Sequence, residues 1–143
     1  MKLILVRHCQ TDWNRHGFIQ GHTDIPLNET GQEQAKLLAP AVAKHGVSLI
    51  VSSDLMRALQ TSAQIYLCAG VSVQLEKSLR ERKYGRLEGL TWKEIEERFL
   101  IRQEDFDTRK DYDLRPYDGE CRDEVVGRQL EVLQELYEKY PND

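Results

Sequence analysis

The chain has 143 residues, with 20 Lys or Arg against 24 Asp or Glu, so its formal net charge is −4. Apolar residues make up 40% of it, which suits one domain with its own core and excludes a disordered or collagen-like polymer. No apolar run approaches the roughly 20 residues of a membrane span, the acidic balance disfavours general nucleic-acid binding, and three cysteines favour a reducing cytoplasm over a disulfide scaffold.

The first half of the chain alternates between predicted strands and a helix. Residues Lys2 to Val6 form a short apolar run that predicts a buried strand. Arg7 to Thr30 follows as an irregular loop, and loops of that length are usually functional or disordered. Gly31 to His45 has the apolar spacing of a helix, which Pro40 is expected to kink. Val47 to Ser52 predicts a second buried strand.

The second half continues the alternation. Asp54 is expected to cap a helix that Gly70 ends, and Val71 to Leu75 predicts a third strand. The remaining predicted elements are a charged loop from Arg80 to Gly89, a helix opened by the capping-box pair Thr91 and Glu94, a polar loop from Asp105 to Gly119 and a last helix from Arg122 to Tyr140. This order predicts an α/β sandwich with a mainly parallel sheet.

Ligands of such sheets bind beyond the carboxyl ends of the strands. Two polar segments lie at those ends, Arg7-His8-Cys9 and the run from Ser52 to Arg57. One interpretation makes Cys9 a nucleophile, because His8 to Arg15 fits the H-C-x5-R pattern that resembles protein tyrosine phosphatases. The loop has no glycine to ease its curl around a phosphate, and His16 stands where that family usually has Ser or Thr. These departures disfavour a cysteine nucleophile.

The second interpretation makes His8 the nucleophile. Arg7-His8-x-x-Thr11-x-x-Asn14 is followed by several further blocks: Gly21-His22-Thr23-Asp24-Ile25-Pro26-Leu27, Ser52-Ser53-Asp54-Leu55-Met56-Arg57-Ala58-Leu59-Gln60-Thr61, Leu79 to Gly89, and Asp118-Gly119-Glu120 with Glu124 to Arg128. Together, and in this order, they resemble the signature of the histidine phosphatase (phosphoglycerate mutase-like) superfamily. TIGAR-type fructose-2,6-bisphosphatases and phosphoglycerate mutases are the members that they resemble most.

The resemblance implies a three-layer α/β/α sandwich in which residues 1–143 form a single domain. It implies that His8 accepts a phosphoryl group, that Arg7 and Arg57 hold the phosphate oxygens, and that Glu81 gives a proton to the leaving oxygen. It also implies substrate-binding roles for Thr11, Asn14, Gln20, Gly21 and Tyr84.

Glu81 is surrounded in sequence by Arg80, Arg82 and Lys83. Nearby cations favour an ionised carboxylate, whereas a general acid needs a raised pKa. We therefore expect these three side chains to point away from the site, and Glu81 to face the phosphate.

The chain departs from the family pattern at two points. Cys9 stands at a position that is usually glycine, and a tolerated small buried residue is the favoured interpretation over a thiol that oxidation could use to block the site. The family also has a second histidine in an H-G block on a final strand, and none of His8, His16, His22 and His45 lies in such a block. We expect a chain truncated at its C-terminus, with activity below that of a complete relative.

The predicted function is hydrolysis of small phosphomonoesters such as sugar phosphates. A 2,3-bisphosphoglycerate-dependent phosphoglycerate mutase and a non-catalytic phosphate-binding module remain alternatives. No cofactor or metal is expected, because His16 and His22, near Asp12 and Asp24, lack metal-ligand spacing and are interpreted as solvated loop residues. The expected partner is a small phosphorylated metabolite in the cytoplasm, with no nucleic acid or membrane, and a homodimer is left open.

Overall fold

The computed structural model describes residues 2–106 and 112–140. Over these residues the chain forms five α-helices and two β-strands. In chain order they are α1 (Asp12–His16), α2 (Glu29–Ala43), β1 (Ile50–Ser52), α3 (Met56–Ala69), β2 (Val73–Leu75), α4 (Trp92–Phe99) and α5 (Arg122–Lys139). Part of the predicted loop from Asp105 to Gly119, residues 107–111, lies outside the described residues, as do residues 141–143.

The two strands form a parallel pair. Ile50 lies opposite Val73, and Ser52 lies opposite Leu75. Helices α2 and α3 pack together beside β1, and their apolar faces bury Ala39, Val42, Ile50 and Ile65 in a first core cluster. The predicted βαβ arrangement is thus present, and it brings the carboxyl end of β1 to the start of α3.

The predicted strand from Lys2 to Val6 is wrong in two respects. The segment pairs with no strand in the described part of the chain, and Leu5 is 84% exposed. It lies across a cavity of about 960 Å³ that is lined on its other side by Ile50 to Ser52. An apolar run becomes a strand only where a neighbour takes its backbone hydrogen bonds, and here the cavity lies between the run and β1.

The first loop and the start of α3 also differ from prediction. The loop from Arg7 to Thr30 contains the short helix α1. Thr11 caps this helix, because its hydroxyl accepts the N–H of Asn14 while the Asn14 side chain accepts the N–H of Thr11. Asp54 does not cap α3, because its carboxylate binds the guanidinium of Arg80 at 2.5 and 2.6 Å. The first N–H of α3, on Met56, donates instead to Asp24 from the distant first loop, at 2.6 Å.

A second core cluster supports the other side of the molecule. Thr91 and Glu94 form the predicted capping box of α4, and Ile95 of that helix is fully buried with Leu87, Ile101 and Leu114. Leu114 belongs to the stretch predicted as a polar loop, so that stretch contributes to the core. Trp92 packs on Phe106, with the two ring centroids 4.8 Å apart.

Two further predictions concern the helices themselves. Helix α2 continues through Pro40 to Ala43, and Gly70 ends α3 in a left-handed conformation as predicted. None of the helices within residues 2–106 and 112–140 has the length and apolar character needed to cross a membrane.

Candidate active site

The loop after the N-terminal segment is held by three side chains from helices α2 and α3. Thr61 of α3 accepts a hydrogen bond from the N–H of Cys9 at 3.1 Å, and Gln34 of α2 accepts one from Gln10 at 3.0 Å. Gln60 accepts from the N–H of Leu27 at 2.7 Å. The Gln60-Thr61 pair of the sequence block therefore fixes the loop that presents His8.

His8 is set in one tautomer by its neighbour. Its Nδ1 lies 2.7 Å from the carbonyl oxygen of Cys9, and a carbonyl can only accept, so Nδ1 carries the proton and Nε2 keeps its lone pair. Burial lowers the pKa of His8, and the positive charges of Arg57 and Arg7 lower it further, against the opposing effect of the Cys9 carbonyl. The imidazole is therefore neutral and nucleophilic near neutral pH.

Arg57 is the most deeply buried cation of the site, with 1% of its surface exposed. It donates to the carbonyl oxygens of Gly21 at 2.6 Å and Thr23 at 3.0 Å, and to the carboxylate of Glu81 at 3.0 Å. Within the described residues these acceptors use three of the five N–H donors of the guanidinium. The other two have no acceptor among these bonds, and Arg57 lines the same cavity as His8.

Glu81 has the electrostatic character of a general acid. Desolvation raises its pKa, although Arg57 and Arg7 oppose the effect. Two of the three basic residues next to it in sequence point elsewhere, as predicted: Arg80 binds Asp54, and Arg82 donates to the backbone carbonyls of Glu120 and Tyr112. These two arginines therefore do not hold Glu81 in its ionised form. The direction of the Lys83 side chain stays a prediction.

One cavity joins most of the predicted site residues. It is the cavity of about 960 Å³ beside the N-terminal segment, and among the residues lining it are Arg7, His8, Asn14, Gln20, Arg57 and Glu81. Two guanidinium groups, a neutral imidazole and a carboxyl group of raised pKa thus share one space. Such a set can bind a phosphoryl group, attack it and protonate what leaves.

Thr11, Gly21 and Tyr84 are not among the residues that line this cavity. Thr11 is fully buried, and its hydroxyl donates to Gln20 Oε1 at 2.8 Å, so in this structure it orients the loop. Gly21 has a φ of +53° and presents its carbonyl to Arg57. Burial raises the pKa of Tyr84, whose ring stacks on Phe106. Their contact with substrate stays a prediction.

Glu88 is a positioning residue to which the sequence analysis assigned no role. One carboxylate oxygen accepts the N–H groups of His22 and Tyr84 at 3.0 Å and of Gly85 at 3.2 Å. The other accepts the N–H of Thr23 at 2.9 Å and its hydroxyl at 2.5 Å. Glu88 thus joins the loop that contains Gly21 to the loop that contains Glu81. The sequence feature that could have indicated this role is a carboxylate directly before Gly89, in a loop that is rich in basic residues.

His22 is also more than the solvated loop residue that was predicted. It is half-buried, and its Nε2 lies 2.9 Å from the backbone carbonyl of Glu81 and 3.8 Å from the Glu120 carboxylate. Burial lowers its pKa, so the neutral ring donates from Nε2 to the carbonyl. His16 is exposed, and its Nδ1 lies 2.8 Å from the Asp12 carbonyl oxygen within α1.

The cysteines are all unpaired thiols. Cys9 is buried with Leu27 and Ala35, consistent with the small apolar role that was favoured for it. Cys121 is buried as well, whereas Cys68 is exposed on α3. Among the described residues, no group of three or more His, Cys, Asp or Glu side chains could hold a metal ion.

This site lies on a fold with known relatives. Residues 3–143 match the model of the histidine phosphatase superfamily, branch 1. The chain belongs to that family, and the predicted α/β class and the resemblance drawn from its motifs are confirmed.

The chain is similar to three named relatives along almost its whole length. The chain is 34% identical to phosphoglycerate mutase-like protein 4 of Arabidopsis thaliana, over 99% of this chain and 63% of the relative. It is 34% identical to the metal-independent phosphoserine phosphatase of the same plant, over 99% of this chain and 60% of the relative. The structure of mycobacterial glucosyl-3-phosphoglycerate phosphatase with VO3 superposes with a TM-score of 0.83 and 34% identity, covering 94% of this chain and 63% of that one.

The chain therefore spans a little over three fifths of the length of these relatives. Two of them are named as phosphatases of small phosphorylated compounds, phosphoserine and glucosyl-3-phosphoglycerate.

Proposed function

We propose that this protein is a phosphatase that hydrolyses small phosphomonoesters through a phosphohistidine on His8. The observation that carries the proposal is the His8 ring itself. Its Nδ1 proton is held by the Cys9 carbonyl at 2.7 Å, and its Nε2 is left unprotonated in a cavity shared with Arg7, Arg57 and Glu81. The names of the relatives support small phosphorylated substrates.

The first step forms a bond between Nε2 of His8 and phosphorus and breaks the bond from phosphorus to the ester oxygen. Glu81 gives its proton to that oxygen, so the alcohol leaves neutral. Arg7 and Arg57 offset the charge on the three remaining phosphoryl oxygens. Because the raised pKa of Glu81 favours its protonated form, the acid is available when the bond breaks.

The second step returns the enzyme to its starting state. Water loses a proton to the Glu81 carboxylate while its oxygen attacks phosphorus. The bond from phosphorus to Nε2 breaks, its electron pair returns to the imidazole, and inorganic phosphate leaves. No metal or redox partner is needed to balance either step. The cytoplasm is the compartment we propose, since free thiols persist in a reducing compartment.

A labelling experiment tests the proposal. Brief incubation of the chain with a ³²P-labelled phosphomonoester and an acid-free quench should leave an acid-labile label on His8. His8→Asn should abolish the label, whereas His16→Asn, which changes an exposed histidine of α1, should keep it. Label that persists in His8→Asn contradicts the proposal.

The same experiment separates the alternatives. Transfer of the label to a second hydroxyl of the substrate, in place of water, would indicate a mutase. Protection from heat by the ester with no label on any residue would indicate a phosphate-binding module.

A further inference from the structure

Arg128 of α5 takes no direct part in the two proposed chemical steps, but its guanidinium makes several hydrogen bonds around Glu81. Its guanidinium donates to the backbone carbonyls of Ser78 at 2.5 Å, Arg80 at 2.7 Å and Glu81 at 3.0 Å. It also donates to both carboxylate oxygens of Glu120 at 2.9 Å. These five bonds use all five N–H donors of the group, so Arg128 binds protein and has no donor left for a phosphate.

Glu120 holds the other side of the same loop. Its carboxylate accepts the N–H of Lys83 at 2.7 Å, and its own N–H donates to the Lys83 carbonyl at 2.9 Å. Its backbone carbonyl accepts from Arg82 at 2.9 Å. Although burial alone raises the pKa of Glu120, the bonds from Arg128 and Lys83 hold it below its ordinary value, so the carboxylate is ionised at neutral pH. Contacts from Arg128 and Glu120 therefore flank Glu81 on both sides.

The side chain of Glu81 depends on this backbone support. Within the described residues, the hydrogen bond given to its carboxylate comes from Arg57, at 3.0 Å. Its backbone carbonyl, in contrast, accepts from both Arg128 and His22. A general acid must lie within hydrogen-bond reach of the leaving oxygen, and the position of the main chain sets where the carboxyl group can reach.

We propose that Arg128, oriented by Glu120, is a positioning residue that places Glu81 for proton transfer to the leaving oxygen. The inference rests on the proposed phosphatase function. The inference also explains the spacing between the two residues. Glu120 lies just before α5 and Arg128 lies on its second turn, so the carboxylate and the guanidinium can pair beside the Glu81 loop.

Two phosphate esters that differ in their leaving group can test whether Arg128 positions the acid or only supports the fold. An alkyl phosphate needs its leaving oxygen protonated, whereas p-nitrophenolate leaves without help. Arg128→Lys keeps the charge and loses the planar fork. We expect kcat/KM for glycerol 3-phosphate to fall by about tenfold or more, and kcat/KM for p-nitrophenyl phosphate to fall by less than about threefold.

Arg115→Lys is the matched control. Arg115 also binds a carboxylate through a planar fork, that of Asp113, but the pair is exposed, and within the described residues the hydrogen bonds of its guanidinium run to Asp113. We expect this variant to hydrolyse both esters as the parent does. Equal losses for both esters in Arg128→Lys would overturn the positioning role. If Arg128→Lys fails to fold, Glu120→Gln carries the same test with the guanidinium retained.

A measurement without turnover separates this inference from the proposed function. The ¹³C carboxyl resonance of Glu81, assigned with Glu81→Gln, should titrate above the ordinary range in the parent and move towards it in Arg128→Lys. If the parent hydrolyses neither ester, the proposed function fails, while this shift still shows that Arg128 places the carboxyl group. An unchanged Glu81 titration in Arg128→Lys overturns the inference in either case.

Discussion

The folded structure shifts the pKa values of His8 and Glu81 towards each other. Burial first, then Arg57 and Arg7, lowers the pKa of His8 from 6.5. Desolvation raises the pKa of Glu81 from 4.5. The proposed chemistry needs neutral His8 and protonated Glu81 at once. With unshifted pKa values, few molecules would have both groups in these states at any pH. The two shifts increase the fraction of molecules that do.

The pH dependence of kcat/KM with an alkyl phosphate should therefore be bell-shaped, with its optimum on the acid side of neutrality. Activity falls at low pH because His8 takes up a proton, and at high pH because Glu81 loses one. Glu81→Gln should lower kcat/KM by about 10²- to 10⁴-fold and remove the alkaline limb. Steady-state rates across the pH range measure both effects. An alkaline limb unchanged in Glu81→Gln would show that another group is the acid.

At the scale of elements, two loops and the start of a helix hold the site together. Glu88 joins residues 21–23 to residues 84–85. Asp24 accepts the first N–H of α3, which fixes the helix turn that contains Arg57. Gly21 has no side chain, and a Cβ there would collide with the Glu88 carboxylate. The close approach of the two loops thus requires glycine at that position.

Glu88→Gln should destabilise the protein by about 2 kcal/mol, because the amide nitrogen of glutamine would face N–H groups that now have an acceptor. The loops would separate, so the affinity for phosphate should fall as well. Urea unfolding and phosphate titration measure the two effects. Glu96→Gln, on the exposed side of α4, is the matched control and should change neither value. A Glu88→Gln protein as stable as the parent would show that the bonds to Glu88 are dispensable.

At the scale of the whole molecule, a chain of net charge −4 presents a positive site. Arg7 and Arg57 line the same cavity, so local geometry outweighs a weakly unfavourable overall charge. The two arginines differ in structural role. Arg57 is buried and bonded to the first loop, whereas Arg7 is exposed. Removing Arg7 is therefore expected to affect anion binding and leave the fold intact.

Inorganic phosphate should raise the melting temperature of the chain, because a ligand that binds only the folded state stabilises it, by about 2.7 kcal/mol at 100 times its Kd. Arg7→Ala should melt as the parent does in plain buffer and show a much smaller rise with phosphate. Arg15→Ala changes an exposed arginine of α1 and should respond as the parent does. Chloride at equal ionic strength controls for salt. A full phosphate response in Arg7→Ala would place the anion elsewhere.

Local patterns predicted much of this structure from the sequence. The capping pair Thr91 and Glu94 and the glycine that ends α3 depend on neighbours within a few residues, so the sequence alone determines them. The predicted nucleophile and its two predicted arginines followed from motifs whose order resembles a family, and the structure brings these residues to one cavity.

Tertiary structure decided the features that depend on distant partners. The run from Lys2 to Val6 has the composition of a strand, but a strand needs a paired neighbour, and none lies beside it in the described chain. Asp54 has the chemistry of a helix cap, yet Arg80 offered a charged partner and Asp24 took its place. The sequence by itself predicted which residues would do the proposed chemistry. Only packing between residues that lie 24 to 66 positions apart decided what holds them, because hydrogen-bond partners that far apart leave no periodic signal in the sequence.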